Sequence, residues 1–348
     1  MDGTAHDPCI KNENALLSRS QRAAYILNCD DASRNLWNGG QRKVVTGCLK
    51  FGPNSATGSL ATAITRPMMD TEEPASRFHQ LYWYPRVDGQ NGVLPDQYEI
   101  LAAKRNDRIS ILMGVSLDNW AWEMLPIDFQ NEDLLLTLYS GGLAFNDSEL
   151  ANKTCDNLLT DQIMLGGEMG PDKLDDLRRK CKERYSALLF NGGGNGQHKT
   201  TDDYLFFHRA VRAASSFHYI APMCKTAATL RKQGKWNTYM YSLEYRRNTT
   251  YGRAVGTYRN LDMQLTANYA NSTFLFDDRD NLIREILLDM LTNFVKNRQP
   301  TSQTSKFFTH WYTMGGGNCY MQINGEENPK MKFAYFADDC NFWINNGV

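Results

Sequence analysis

Apolar and polar positions along this chain switch between two periods. The run RISILMGVSLD at 108–118 is almost continuously apolar and bounded by polar residues, which is the pattern of a strand buried on both faces in a parallel sheet. In WNTYMYSLEYR, 236–246, Tyr239, Tyr241, Leu243 and Tyr245 alternate with Thr238, Met240, Ser242 and Glu244, which is strand period. CYMQIN at 319–324 predicts a further short strand.

Helical spacing fills the intervals. It is present at 18–30 (SRSQRAAYILNCD), from Pro95 to about Lys104, at 172–188, and at 202–216 behind the cap candidates Thr201 and Asp202. A helix at 220–233 stops at Gly234, the usual position just past a helix end. At 278–296, Leu282, Ile283, Ile286, Leu287, Met290, Leu291, Phe294 and Val295 share one face of an amphipathic helix that closes before Pro300. A terminal helical segment lies near Asp339 to Trp343. Residues 36–58 are Gly-rich and loop-like, and VDG and NG mark turns within 78–94. Helices alternating with apolar strands predict a layered α/β fold, read as one domain over 1–348.

Composition narrows the partners. With 348 residues, 42% of them hydrophobic and 22% charged, the chain is globular and long enough to bury a sizeable core. Lys plus Arg number 38 against 39 acids, a net charge of −1, so neither nucleic acid nor an anionic membrane is expected as partner. No run reaches the roughly 18 apolar residues of a membrane span, and residues 1–25 lack the form of a signal peptide. Yet eight cysteines without a C-x-x-C or Cys/His cluster argue for disulfides rather than metal. N-x-S/T sequons at Asn146, Asn152, Asn248 and Asn271 lie in polar surroundings where a glycan could sit. These features predict a secreted protein or ectodomain. A chain that lacks its own beginning would reconcile that expectation with the missing leader.

Motifs for chemistry are sparse. NGGGNGQHK at 191–199 has the glycines of a phosphate-cradling loop, but His198 stands where the P-loop pattern needs glycine and no apolar strand leads in, so it reads as an exposed hinge. Gly114-Val115-Ser116-Leu117-Asp118 fails G-x-S-x-G at its last glycine, which makes Ser116 a strand-end residue. The six histidines are scattered, with His208 and His310 read as packed or surface residues; no metal or cofactor is expected. The polar turn GTYRNLD, 256–262, follows a strand-like stretch, a place where loops often hold catalytic groups.

Several stretches, taken in order, resemble one family. SQRAAYILNC, GCLK at 47–50, YPRVDG followed by LPDQYEIL, ILMGVSLDN, WNTYMYSLEYR and DDCNFW are similar to the type-B carboxylesterase/cholinesterase family of α/β-hydrolases, in the manner of invertebrate, nematode-like members. The resemblance covers nearly the whole chain and matches the part of the family that follows the nucleophile; even DGTA at 2–5 resembles the segment just after that helix. It implies an α/β-hydrolase fold that is incomplete, lacking the nucleophile-bearing N-terminal half.

The resemblance also implies disulfides Cys29–Cys48 and Cys224–Cys340. Cys155 and Cys181 are open to pairing, and Cys9 and Cys319 have no assigned partner. The family's triad acid belongs to a G-V-x-x-D-E-G turn, matched by Gly114-Val115-Ser116-Leu117-Asp118-Asn119-Trp120, so Asn119 stands at the glutamate position. Its base histidine belongs to G-x-x-H-x-x-E/D, matched by Gly256-Thr257-Tyr258-Arg259-Asn260-Leu261-Asp262, so Arg259 stands at the histidine position. A guanidinium stays protonated at neutral pH and cannot accept the serine proton, and an amide cannot stabilise an imidazolium by charge. Rescue would need Asp118, Glu123 or His310.

The expectation is therefore a carboxylesterase-like protein, catalytically inactive as given, with a binding or adhesion role in the secretory pathway or outside the cell. The alternative is a carboxylic ester hydrolase represented by an incomplete gene model and acting on a small carboxylic ester. A homodimer or an extracellular protein partner fits the first reading. Trp120 and Trp122 read as core residues ahead of gorge lining.

Overall fold

The computed structural model describes residues 24, 29, 41, 43–45, 48, 96, 98–105, 109–121, 154–159, 169–185, 205–234, 236–249, 252, 255–267, 276–303, 305–308, 310–315 and 317–347. They fall into two compact units, one from Val87–Asp156 with Asp175–Val348 and one from Cys9–Arg86 with Asn157–Leu174. In the second unit Cys29 is bonded to Cys48. The helix expected at 18–30 lies outside the described residues apart from Ala24 and Cys29, as does the Gly-rich stretch at 191–199.

The first unit holds a four-stranded sheet. Its strands are β1 (Ile109–Ser116), β2 (Trp236–Leu243), β3 (Tyr320–Ile323) and β4 (Lys330–Lys332), in the order β1-β2-β3-β4. β1, β2 and β3 run parallel, with Ile109 opposite Trp236, Ser116 opposite Leu243, and Leu243 opposite Ile323. β4 is antiparallel to β3, and its exposed Lys330 and Lys332 discourage pairing along that edge. Parallel strands need long crossovers, and helices supply them: α2 (Pro171–Tyr185), α3 (Leu205–Ser215) and α4 (Ala221–Gln233) between β1 and β2, and α5 (Leu261–Ala267) and α6 (Asp278–Asn297) between β2 and β3, while α1 (Tyr98–Lys104) precedes β1 and α7 (Ala337–Asn345) follows β4.

Burial differs between the two long strands, and on β1 it falls short of the expectation. β2 hides both faces, with Thr238, Tyr239, Met240, Ser242 and Leu243 all buried, because it has parallel neighbours on both edges. β1, expected to be buried on both faces, is half-buried from Ile109 to Gly114 and buried only at Val115 and Ser116. Among the described strands it pairs along one edge alone. Gly114 is required where it stands, since a Cβ there would collide with the ring of Tyr241 on the neighbouring strand.

α3 and α4 are not separate helices. A fully buried π-helical turn, Ser216–Ile220, joins them, and the Ala221 N–H donates to the carbonyl of Ser216 five residues back. Pro222, which has no N–H to donate to the carbonyl four residues earlier, follows at once, so the wider turn falls where the regular ladder must break. α4 ends as expected, on Gly234 at φ 65°. α6 starts with a capping box in which the Asp280 N–H donates to Asp277 and the Asp277 N–H donates to Asp280. Its packed stripe is Ile283, Ile286, Leu287 and Met290. Leu291 and Val295, expected on that face, are exposed, being rotated roughly 80° to 120° from the stripe's centre at 3.6 residues per turn.

Two disulfides and one carboxylate hold the C-terminal segment and α2 in place. Cys224–Cys340 ties α4 to α7, and Cys155–Cys181 ties α2 to the residues before it. The buried Asp339 accepts from Arg184, from the Tyr185 hydroxyl at 2.9 Å and from Arg212, so one side chain of α7 engages both α2 and α3. Trp343 completes the cluster by donating its indole N–H to the Tyr185 oxygen at 3.1 Å.

Candidate functional site

Parallel sheets gather their exposed chemistry beyond the carboxyl ends of the strands, where the loops leave. Two turns meet at that end here. The first, 117–120, leaves β1, and the Leu117 N–H donates to the carbonyl of Leu243 at the end of β2. The second, 256–260, precedes α5. They are joined reciprocally: the Asp118 N–H donates to the Thr257 carbonyl at 3.0 Å, and the Thr257 N–H donates to Asp118 Oδ2 at 2.9 Å.

Each turn is anchored beyond that pair. The Trp120 N–H donates to Ser215 Oγ at 2.9 Å, and the Trp120 ring stacks on His218 of the π-helical turn at 4.0 Å. Asn119 therefore lies between two residues with fixed backbones and is itself buried. On the other side the Thr257 hydroxyl donates to the Tyr245 carbonyl, and the Tyr258 hydroxyl donates to Gln264 Oε1 in α5. Gly256 has φ 78°, and a Cβ on it would strike Asp118 Oδ2, so glycine meets both a backbone and a space requirement. Asn260 takes the left-handed conformation at φ 63° and turns the chain into α5.

Arg259 is half-buried between these anchors, in the turn docked against that of Asn119. Asp262, three residues on, accepts from the Tyr241 hydroxyl of β2 at 3.1 Å, the same tyrosine whose ring covers Gly114. Arg246 brings its guanidinium to 3.7 Å from Asp118 Oδ2.

A buried ion pair supports the second turn from below. Arg247 Nε and Nη2 engage both oxygens of Asp280, and the Tyr245 hydroxyl donates to Asp280 Oδ1 at 2.9 Å. Burial opposes charge on Asp280, but the Arg247 guanidinium and the Tyr245 hydroxyl outweigh it and hold the carboxyl below its usual range. The Tyr245 phenol is pushed up, chiefly by burial and then by the adjacent carboxylate. Since Thr257 hangs on the Tyr245 carbonyl, α6 helps to set the position of the Arg259 turn.

A family model described as Carboxylesterase family matches residues 1–343. The chain belongs to the carboxylesterase family. No curated protein gives a significant match to it. Membership in this family entails the α/β-hydrolase fold, and the mixed sheet flanked by helices is in keeping with it.

The remaining candidate residues of this carboxylesterase have clear places. Ser116 is the buried last residue of β1. His310 is exposed and stacks on Tyr312, and His208 is half-buried in α3. Trp120 is in the core, while Trp122 and Glu123 lie outside the described residues, as do Asn146, Asn152 and Asn271. Among the described residues no group of three or more His, Cys, Asp or Glu is placed to hold a metal ion, and no helix is long and apolar enough to cross a membrane. Sequence reasoning missed the Thr257–Asp118 clamp, Ser215, and the Asp280–Arg247 support. Only the clamp left a signal, a glycine directly before Thr257.

Proposed function

We propose that this chain is a non-hydrolytic member of the carboxylesterase family, a single domain over 1–348 that acts by binding or adhesion in the secretory pathway or outside the cell. The observation that carries the reading is the docking of the Arg259 turn onto the turn of Asn119 through Thr257 and Asp118. The turn that meets the Asn119 turn carries Arg259, which supports the reading, because the family resemblance implies the proton-accepting histidine at 259 and the acid at 119. An arginine there holds its proton at every working pH, so serine activation has no acceptor. Three disulfides support the oxidising location.

The competing reading is an active hydrolase of small carboxylic esters. It draws on Asp118, a buried carboxylate beside Asn119, as a replacement acid. Incubation with short-chain acyl esters and with a serine-directed fluorophosphonate separates the two. We expect no turnover above buffer and no covalent label. Turnover that the fluorophosphonate abolishes would sink the non-hydrolytic reading.

A further inference from the structure

We propose that the two docked turns bind a small organic carboxylate through the guanidinium of Arg259. The inference rests on the non-hydrolytic reading above and names a class of ligand for the same site.

The acids beside the turns are already engaged. Asp118 Oδ2 accepts from the Thr257 N–H, and the Asp118 side chain is only 5% exposed. Asp262 accepts on both oxygens, from the Tyr241 hydroxyl at 3.1 Å and from the Met263 N–H at 2.9 Å. The arginines are placed differently. Arg246 stands 3.7 Å from Asp118 Oδ2, too far for a hydrogen bond, and its side chain is 45% exposed. Arg259 is half-buried and carries five N–H donors in one plane, more than a single neighbour takes up. Cationic donors therefore face the incoming ligand while the nearest carboxylate stays behind them.

The shape of the donor selects among anions. A planar guanidinium matches the two oxygens of a carboxylate, and partial burial strengthens that bond by thinning the water around it. The neighbouring groups add no further cation inside the turns: Asn119 is a buried amide, and the ring of Tyr241 lies against Gly114. A single negative charge on an apolar body fits such surroundings.

The backbone around Arg259 is set before any ligand arrives. Thr257, two residues earlier, is clamped to Asp118, and Asn260, the next residue, holds a φ of 63°. A turn fixed in this way loses little freedom on binding.

Isothermal titration of the full chain with sodium butyrate in low-chloride buffer tests the proposal. Saturable binding to one site is expected, and butyramide, which has the same body without the charge, should not compete. Arg259→Gln should weaken binding at least about tenfold. Arg259→Lys keeps the charge but loses the fork and should fall between the two, and Arg246→Gln, a change at a more exposed position, should weaken binding less than Arg259→Gln. Thermal melts of each variant separate loss of binding from loss of fold. No saturable binding to the parent overturns the inference, as does equal competition by butyramide or full affinity in a folded variant at Arg259. Butyrate contains no ester, so this result is independent of the ester and fluorophosphonate assays: turnover there would sink the non-hydrolytic reading, whereas a failed titration would sink the carboxylate site alone.

Discussion

Asp118 and Thr257, 139 residues apart, exchange two hydrogen bonds: the Thr257 N–H donates to Asp118 Oδ2 at 2.9 Å, and the Asp118 N–H donates to the Thr257 carbonyl at 3.0 Å. This pair fixes the relation of the Asn119 turn to the Arg259 turn. Asp118→Ala strips the buried Thr257 N–H of its acceptor, and an unpaired buried donor costs about 1–3 kcal/mol. Asp118→Asn keeps an acceptor oxygen and should lose less. Urea unfolding of the two variants checks the order; equal stability with the parent would show that the pair does not bind the turns together.

Gly256→Ala should also destabilise, by more than about 1 kcal/mol. Its φ of 78° disfavours any side chain, and the added Cβ meets Asp118 Oδ2. Gly234→Ala serves as the comparison, since its φ is 65° but nothing stands within 4 Å of an added Cβ. Thermal melts should rank Gly256→Ala below Gly234→Ala. The reverse ranking would mean that the close approach to Asp118 is absent in solution.

Acid should unfold the protein through Asp280 and Asp339. Both carboxyls are held below their usual range in the fold: burial works against their charge, but Arg247 and Tyr245 prevail at Asp280, and Arg212, Tyr185 and Arg184 prevail at Asp339. A depressed carboxylate lends its stability above the unfolded value of about 4, and that stability is lost as pH falls through the lower folded value. Unfolding free energy should therefore be flat near neutrality and drop below about pH 4. Asp280→Asn leaves Arg247 buried without its counter-charge, costs about 3–5 kcal/mol at neutral pH, and should flatten the acid drop. A variant with the parent's acid profile would remove Asp280 from this account.

Breaking Cys224–Cys340 with a double alanine substitution should cost up to about 5 kcal/mol on the chain-entropy argument, because the bond closes a loop of 116 residues. Breaking Cys155–Cys181, which spans 26 residues, should cost roughly 1 kcal/mol less. Non-reducing peptide mapping followed by denaturant titration of each double variant measures both. An unchanged midpoint for the long-range pair would contradict the ordering.

Much of this architecture could be read in local pattern. The run at 108–118 contains β1, the alternation at 236–246 contains β2, and Gly234 stops α4 where a residue without Cβ is needed to turn left-handed. Those features follow from backbone period and from the conformational freedom of single residues, both of which are written in neighbouring positions. The pairs Cys29–Cys48 and Cys224–Cys340, implied by family resemblance, are the pairs the structure joins, along with Cys155–Cys181, which spacing left open. Less legible were burial on the strands and the outer edge of α6. Period shows which residues share a face, but the neighbours decide how much of that face is covered.

The sequence by itself determined the alternation of strand and helix and the residue types at the two turns, an asparagine at 119 and an arginine at 259. Only the tertiary structure decided that these turns touch, that Asp118 rather than Asn119 makes the joining hydrogen bonds, that Asp280 and Arg247 support the second turn, and that Asp339 gathers α2 and α3 around α7. The reason is physical. A local pattern records what each segment prefers when it buries one face, whereas a hydrogen bond or ion pair between residues more than thirty positions apart exists only after several segments have packed and removed water from between them.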